Sequence, residues 1–383
     1  MIVTETPRPL PIDSNQMNDS AINYLLLFLF CMFSSNSLWW QVRARSVPSL
    51  AILFCSVRDT SKEREAYKPQ SRFNAKHLWS MSVGVYCIPK DETDHQISIK
   101  RTITGGDCCG EDAYLVAQNA QFSVLAVADG VGSWRRKGID PSKFSRSLMR
   151  HMGALVEGIT LRNSQKQSML DYVRRFVSWS DNSVSSEGPP SPHEAITPAT
   201  LIGQAFWRMV TSFQRGYERP FGSSTVSLVA LDRATGTLEI SNLGDSGSMI
   251  IRQGKPFFRT TSQQHRFNAP YQITLSPEGT VSDSSSKATL TSLPAKEGDI
   301  VLLATDGLWD NVWTEEIMHI VNQHENNLEE MARKLVDVAR THAQDQSFES
   351  PFTVEARRSK LEYPGGKMDD ITVVVAQVHA PVL

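Results

Sequence analysis

The sequence predicts an α+β domain of roughly 300 residues behind a leader of different composition. Three observations carry this. Short runs rich in Val, Ile and Thr recur along the chain, three other stretches place apolar residues at helical spacing, and a polar, charged segment at 62–76 (KEREAYKPQSRFNAK) separates both from the N-terminus. The 383 residues are 40% hydrophobic and 21% charged, enough apolar surface for a sizeable core. A formal net charge of −2 leaves no excess of the basic groups on which nucleic-acid binding depends. The five cysteines, at 31, 55, 87, 108 and 109, are odd in number and contain no C-x-x-C pair. That pattern argues against a disulfide scaffold and against a thiolate zinc site.

The leader comes first. Residues 24–33 (YLLLFLFCMF) are apolar but too few to span a bilayer, which takes about 20 residues, so no transmembrane helix is expected. The flanks do not suit a secretory signal either, because Glu5, Asp13 and Asp19 stand against a single Arg8. From Ser35 to Arg58 there is no acidic residue, while Arg43, Arg45 and Arg58 lie among Ser, Leu, Trp and Val. This is the composition of a mitochondrial presequence, displaced inward, with Met32 just ahead of it as an alternative start. The plain alternative is an unstructured N-terminus on a cytoplasmic protein. Between Asn36 and His77 the chain carries a local charge of +5, and the remainder carries −7. Residues 1–77 are therefore expected to be leader and linker, and 78–383 the folded domain.

Strands are expected at 82–88, 113–118 and 122–128 (FSVLAVA), each a short apolar or alternating run. Asp140-Pro141 then reads as an N-cap followed by proline in the first turn. Phe144, Leu148, Met149, Met152, Leu155 and Val156 make one face of the helix that follows. Residues 178–198 are rich in Ser and Pro and are expected to be a flexible insert. A second helix is predicted over 199–217, with Leu201, Ile202, Ala205, Phe206, Met209, Val210 and Phe213 on its face. Strands follow at 224–231, 237–242, 247–252 and 299–304. A third helix at 326–342 and a final strand at 371–378 (ITVVVAQV) close the chain. The Met and aromatic stripes on these helices are core faces.

The chemical signal is a set of acidic residues at strand ends beside glycine. Asp129-Gly130 follows FSVLAVA, Asp306-Gly307 follows IVLLAT, and Asp369-Asp370 precede ITVVVAQV. Glu111-Asp112 and Gly244-Asp245 have the same character. A single Asp-Gly is ordinary turn chemistry. Carboxylates at the ends of several buried strands are different, because an isolated buried charge is costly and needs a cation, a hydrogen-bond network or water. An all-oxygen set of this kind suits Mg²⁺ or Mn²⁺.

Six segments make a family resemblance specific: GEDA (110–113), VADGVGSW (127–134), FGSST (221–225), NLGDSG (242–247), LLATDGLWDN (302–311) and GGKMDDITVVV (365–375). They stand in the order and spacing of the type 2C, metal-dependent Ser/Thr protein phosphatases, the PPM family. The chain resembles that family from about Gly105 to Val378. QQHRFNAPYQ (263–272), DPSKFSRSLMR (140–150) and SPF (350–352) resemble its mitochondrial branch. The resemblance implies two packed antiparallel β-sheets flanked by α-helices. It implies hydrolysis of phosphoserine and phosphothreonine esters on proteins by a metal-bridging hydroxide, with two Mg²⁺ or Mn²⁺ ions and room for a third. Asp129 resembles the carboxylate that bridges two ions, and Gly130 the residue that offers its carbonyl to one. Asp306 and Asp369 match ligands of the other ion. Glu111 and Asp112 match the pair that holds metal-bound waters, and Asp245 a ligand of the third ion. Asp370 stands where many relatives have Asn and is placed behind the ligands.

Two departures stand out. Val131 replaces a His that many relatives carry after the Asp-Gly, and Asp107 stands about where many carry a phosphate-gripping Arg, with Arg101 the nearest upstream cation. Both suggest weaker phosphate capture with metal binding retained. Cys108 and Cys109 are read as buried structural cysteines, with redox sensitivity as the alternative. His265 either lines the cleft or caps a loop. No cysteine has Arg six residues on, and no Asn-His-Glu or Asn-His-Asp box occurs, so the other phosphatase chemistries are excluded. The remaining rival is a phosphatase fold that has lost activity and binds or scaffolds phosphoproteins. Val131 and Asp107 favour it, and the clustered Asp129, Asp306 and Asp369 oppose it, since like charges at close range need a cation.

Overall fold

All seven residues of Phe122–Ala128 are buried, and the two faces of this strand bury into different cores. Val124, Ala126 and Ala128 pack beneath a pair of helices, whereas Leu125 and Val127 face a second sheet. A continuous apolar run is what a strand covered on both faces requires. The computed structural model describes residues 78–91, 104–105, 109–158, 197–214, 216–217, 219–277 and 283–382. Residues 1–77, Arg101, Asp107, Cys108 and the insert at 178–196 lie outside the described residues.

In chain order, β1 (Ser80–Ile88), β2 (Thr104–Gly105), β3 (Ala113–Gln118) and β4 (Phe122–Ala128) precede a 3-10 turn at Gly132–Lys137 and helix α1 (Ser142–Gly158). Helix α2 (Pro198–Gln214) leads to β5 (Gly222–Ser224), β6 (Val226–Asp232), β7 (Thr237–Leu243), β8 (Gly247–Arg252) and β9 (Lys255–Arg259). Then come β10 (Gln264–Arg266), β11 (Ala269–Pro270), β12 (Ile273–Leu275), β13 (Thr289–Pro294) and β14 (Ile300–Ala304). Helices α3 (Asp306–Trp309), α4 (Thr314–Gln323), α5 (Leu328–Gln344) and α6 (Pro351–Arg358) precede the last strand, β15 (Ile371–His379).

Two antiparallel sheets pack face to face. One has the order β1-β15-β14-β8-β9 and the other β13-β7-β6-β4-β3-β2. Helices α1 and α2 cover the six-stranded sheet, their Phe144, Leu148, Met152, Leu201, Ile202 and Met209 packing on the outward residues of β3, β4 and β6. Helices α4 and α5 cover the five-stranded sheet through Ile317, Val321, Met331, Leu335 and Val336. Leu231, Ile240, Val301, Leu303, Val374 and Ala376 fill the space between the sheets. Each fully buried Leu, Ile, Val or Met contributes about 1.5–3 kcal/mol of transfer free energy, so these three apolar layers hold the sandwich. The expected architecture of packed antiparallel sheets flanked by helices is the observed one.

Differences from the sequence reading are local. The expected strand at 224–231 is interrupted at Thr225, where β5 turns to pair with β12 and β6 pairs with β4 and β7. The helix expected to reach 217 ends at Gln214, and the one expected over 326–342 runs two residues later. Asn327 caps that helix, its side chain accepting from Glu330 N at 3.1 Å. The cysteine reading needs correction on one point. Cys87 at the end of β1 and the buried Cys109 form a disulfide, with their Cα atoms 5.4 Å apart. The fold brings together two residues that are 22 apart in sequence, a proximity that cysteine spacing does not display.

The register sets the position of the acids. Ala113 pairs with Ala128, so the residues before β3 and after β4 lie at one end of their sheet. Ala304 pairs with both Val373 and Gly247, which brings the residues after β14, before β15 and before β8 together at one end of the other sheet.

Candidate metal centre

At that shared end of the sandwich, Asp129, Asp245 and Asp306 each bring one carboxylate oxygen to within 4.8 Å of the others. Asp129 leaves the fully buried β4, and Thr225 N donates to its carbonyl at 3.0 Å. Asp306 opens helix α3, with one residue, Thr305, between it and the end of β14. The residue after it must be glycine, because a β-carbon at Gly307 would stand 2.1 Å from the Asp370 carbonyl oxygen. Asp245 sits in the turn from β7 to β8, and Gln264 Nε2 lies 3.4 Å from its Oδ2. Its Oδ1 is buried and has no hydrogen-bond partner among the described residues.

Electrostatics shows what this arrangement lacks. Burial, then the neighbouring acids, hold the carboxyl groups of Asp129 and Asp306 well above the usual carboxylate range. Asp112 is raised for the same reasons. Burial pushes Asp245 up to about 7. One internal cation answers part of the charge. Lys367 Nζ is ion-paired to Asp306, lies 2.8 Å from Asp310 Oδ2 and stands 3.3 Å from Asp369 Oδ2. Burial alone would lower the Lys367 ammonium, but Asp306, Asp310 and Asp369 raise it well above its ordinary value.

A second layer lies beside the first. Lys90 Nζ is 2.7 Å from Glu111 Oε2, 3.5 Å from Asp369 Oδ1 and 3.7 Å from Asp370 Oδ2. Arg135 Nε donates to the other Glu111 oxygen. Asp370 receives the backbone N–H groups of Lys90 at 2.7 Å and Glu111 at 2.9 Å. Thr305 Oγ1 donates to Asp112 Oδ2 at 2.8 Å, and Gly130 N donates to the Glu111 carbonyl at 3.2 Å.

All seven residues singled out from sequence therefore converge on one end of the fold, with different surroundings. Asp129, Asp245 and Asp306 form the close trio. Asp369 stands between Lys90 and Lys367, and Asp112 and Gly130 are tied to Thr305 and Glu111. Glu111 faces two cations. Sequence reasoning missed Lys367, Lys90 and Asp310. Lys367 lies inside the GGKMDD segment, and Asp310 stands four residues after Asp306, one helical turn on, which was a readable signal. Lys90 carried none, because it meets Glu111 and Asp370 only through the fold.

The donor set fits a divalent cation. Three carboxylate oxygens within 4.8 Å of one another and an orphaned buried Asp245 Oδ1 present hard oxygen ligands with unmet charge. A family model described as protein phosphatase 2C matches residues 100–346. The chain is 32% identical over 349 residues to protein phosphatase PTC7 homolog fig of Drosophila virilis, covering 86% of this chain and 99% of that one. It is 37% identical over 288 residues to the human protein phosphatase PTC7 homolog, covering 73% and 83%. The X-ray structure of the photosystem II phosphatase PBCP matches with a TM-score of 0.56 at 29% identity, over 79% of this chain and 100% of that one. On these matches the chain belongs to the protein phosphatase 2C family of metal-dependent Ser/Thr protein phosphatases.

Proposed function

We propose that Asp129, Gly130, Asp306 and Asp369 hold two Mg²⁺ or Mn²⁺ ions and that Asp245 serves a third. The observation that carries this reading is the close trio of Asp129, Asp245 and Asp306 with its unsatisfied Asp245 Oδ1. A bound divalent ion supplies Lewis acidity and lowers the pKa of water toward 7, so that a nucleophile exists at neutral pH. The chain's own residues shape the site. Asp129 directly follows the fully buried β4, and Thr225 holds its backbone at both N and O. Lys367 offsets charge on Asp306 and Asp310 and keeps the acids together. Lys90 and Arg135 hold Glu111 in one orientation, and Thr305 does the same for Asp112. Asp370 ties the Glu111 backbone to the start of β15.

The substrates are phosphoserine and phosphothreonine proteins. We further propose that residues 1–77 are a leader and linker, that 78–383 form the phosphatase domain with an insert at 178–198, and that the Arg-rich, acid-free stretch between Ser35 and Arg58 directs import into mitochondria. Met32 is then an alternative start. Mass spectrometry of the mature N-terminus in fractionated cells tests this, and a cytosolic chain beginning at Met1 refutes it.

The enzymatic reading is tested with the full chain. Hydrolysis of p-nitrophenyl phosphate and of a phosphopeptide should need Mn²⁺ or Mg²⁺ and stop with EDTA. It should be lost in Asp129→Ala and Asp306→Ala. A wild-type chain that releases no phosphate at saturating Mn²⁺ would leave the binding or scaffold role in its place.

A further inference from the structure

A cavity of about 340 Å³ has none of the proposed metal ligands in its lining. Two segments, one adjoining a metal-site acid in sequence and the other in contact with one, line it together with Thr274 and Asp283. One is the 3-10 turn at Gly132–Lys137, which begins three residues after Asp129. The other is the QQHRFNAPYQ segment, in which Gln264 reaches Asp245 and the next residue, His265, lines the cavity.

The walls are built and locked. Trp134 Nε1 donates to Ser223 Oγ at 2.7 Å, and Ser223 Oγ donates in turn to Gln272 Oε1. The His265 ring packs on Tyr271, with centroids 4.2 Å apart, and its Nε2 lies 2.9 Å from Asp283 Oδ2. Asp283 is 2% exposed, and its charge is already engaged. Lys287 Nζ lies 2.9 Å from its Oδ1, and Gln272 N donates to its Oδ2 at 3.1 Å. These contacts hold the Asp283 carboxyl below the usual range despite its burial. Asp283 therefore acts as the fixed post for the Lys287 ammonium and the His265 imidazole.

Positive charge remains at the mouth. Lys137 is exposed, stands 4.6 Å from the Trp134 ring centre, and has no carboxylate partner among the described residues. The His265 side chain is 51% exposed. The turn carrying Lys137 also carries Arg135 and Arg136 and no acid. An aromatic floor with a lysine and a histidine at the rim is suited to an anion held on a short side chain.

We propose that this cavity binds an anionic side chain of the protein substrate, a carboxylate or a second phosphate, close in sequence to the phosphoresidue at the metal centre. The inference rests on the phosphatase reading of that centre. Binding there selects acidic phosphopeptides over neutral ones. Lys137 and His265 are the specificity residues, and Asp283 positions His265.

The test is steady-state kinetics on the full chain with Mn²⁺. The substrates are phosphothreonine peptides in which Ala, Glu, phosphoserine or Lys is placed in turn at each of the three positions on either side. Wild-type kcat/KM should rise by about fivefold for Glu at one or two positions, the size expected of a half-exposed charge pair. Phosphoserine there should give a larger gain, since it carries nearly twice the charge. A gain with Glu alone or with phosphoserine alone identifies the source of the anion. Lys137→Arg should keep the preference, and Lys137→Glu should reverse it toward the Lys peptide, through KM. His265→Gln should reduce it. A wild type indifferent to acids at every position, or a Lys137→Glu variant with the wild-type preference, overturns the proposal. Wild-type hydrolysis of p-nitrophenyl phosphate is measured alongside. If it is absent the phosphatase reading fails, and fluorescence anisotropy with the Glu peptide decides the cavity. Binding lost in Lys137→Glu supports the cavity, and binding unaffected by that change overturns it.

Discussion

The Lys367 ammonium lies 2.8 Å from Asp310 Oδ2 and is paired at the same time with Asp306, so one lysine holds two acids of a single helical turn. A lysine this deeply placed among carboxylates is the internal counter-ion of the site. Lys367→Met should destabilise the metal-free protein by about 3 kcal/mol, because it leaves buried acids without their partner. Mn²⁺ should restore much of the loss. Thermal melts with EDTA and with Mn²⁺ measure both, and a variant as stable as wild type in EDTA refutes the role.

Asp129 presents the opposite case. Its carboxyl is raised by burial and then by Asp306, Asp112, Asp369 and Asp245. Asp129→Asn removes repulsion, so the metal-free protein should gain on the order of 1 kcal/mol while hydrolysis is lost. The stabilisation that Mn²⁺ gives the wild type should also shrink. Denaturant titration in EDTA reads the gain, and a clear loss of stability there would count against it.

The pH dependence of the metal-free protein has a definite sign. Asp112, Asp129, Asp245 and Asp306 have raised carboxyl pKa values, so the folded chain binds more protons than the unfolded one. Stability is then fullest below the ordinary aspartate value of about 3.9 and falls as pH rises through the raised values. For Asp245 that decline extends to about 7. Asp283 has the opposite shift, and its contribution is lost only at more acid pH. Unfolding curves in EDTA between pH 4 and pH 7 should show declining stability, and saturating Mn²⁺ should remove the decline; a rise with pH in EDTA contradicts it.

Gly110 has φ +67°, and a β-carbon there would lie 2.1 Å from Asp370 Oδ1. Gly110→Ala therefore strains the backbone and displaces the carboxylate that receives the Lys90 and Glu111 N–H groups. The expected cost is about 3 kcal/mol, with a fall in activity at limiting Mn²⁺ that excess metal partly restores. Calorimetry and an Mn²⁺ titration of activity check it, and a neutral substitution refutes it.

Strands 113–118, 122–128 and 247–252 were legible to the residue, because each is a short, mostly buried apolar run too brief for a helix. The edge strands β9 and β13 were not. Their residues are mostly exposed, so KPFFR and TLTSLP carry little apolar signal. Helices α4 and α6 were missed too, since each is short and buries only a few residues. His265 left two readings open, and the fold settled its partner as Asp283, 18 residues away.

The sequence by itself determined the chemistry available: acids beside glycine at the ends of apolar strands, in an order specific to one phosphatase family. Those features are local, set by covalent neighbours and strand periodicity. Tertiary structure decided which acids crowd together and which cations reach them. Antiparallel register brings Asp129, Asp245 and Asp306 together, while Lys90 and Arg135 come to rest on Glu111. The Cys87–Cys109 bond and the cavity between Trp134 and His265 were decided in the same way. Coulombic and hydrogen-bond energies depend on distances in space, and between residues as far apart as Lys90 and Asp370 only the packed sheets set those distances.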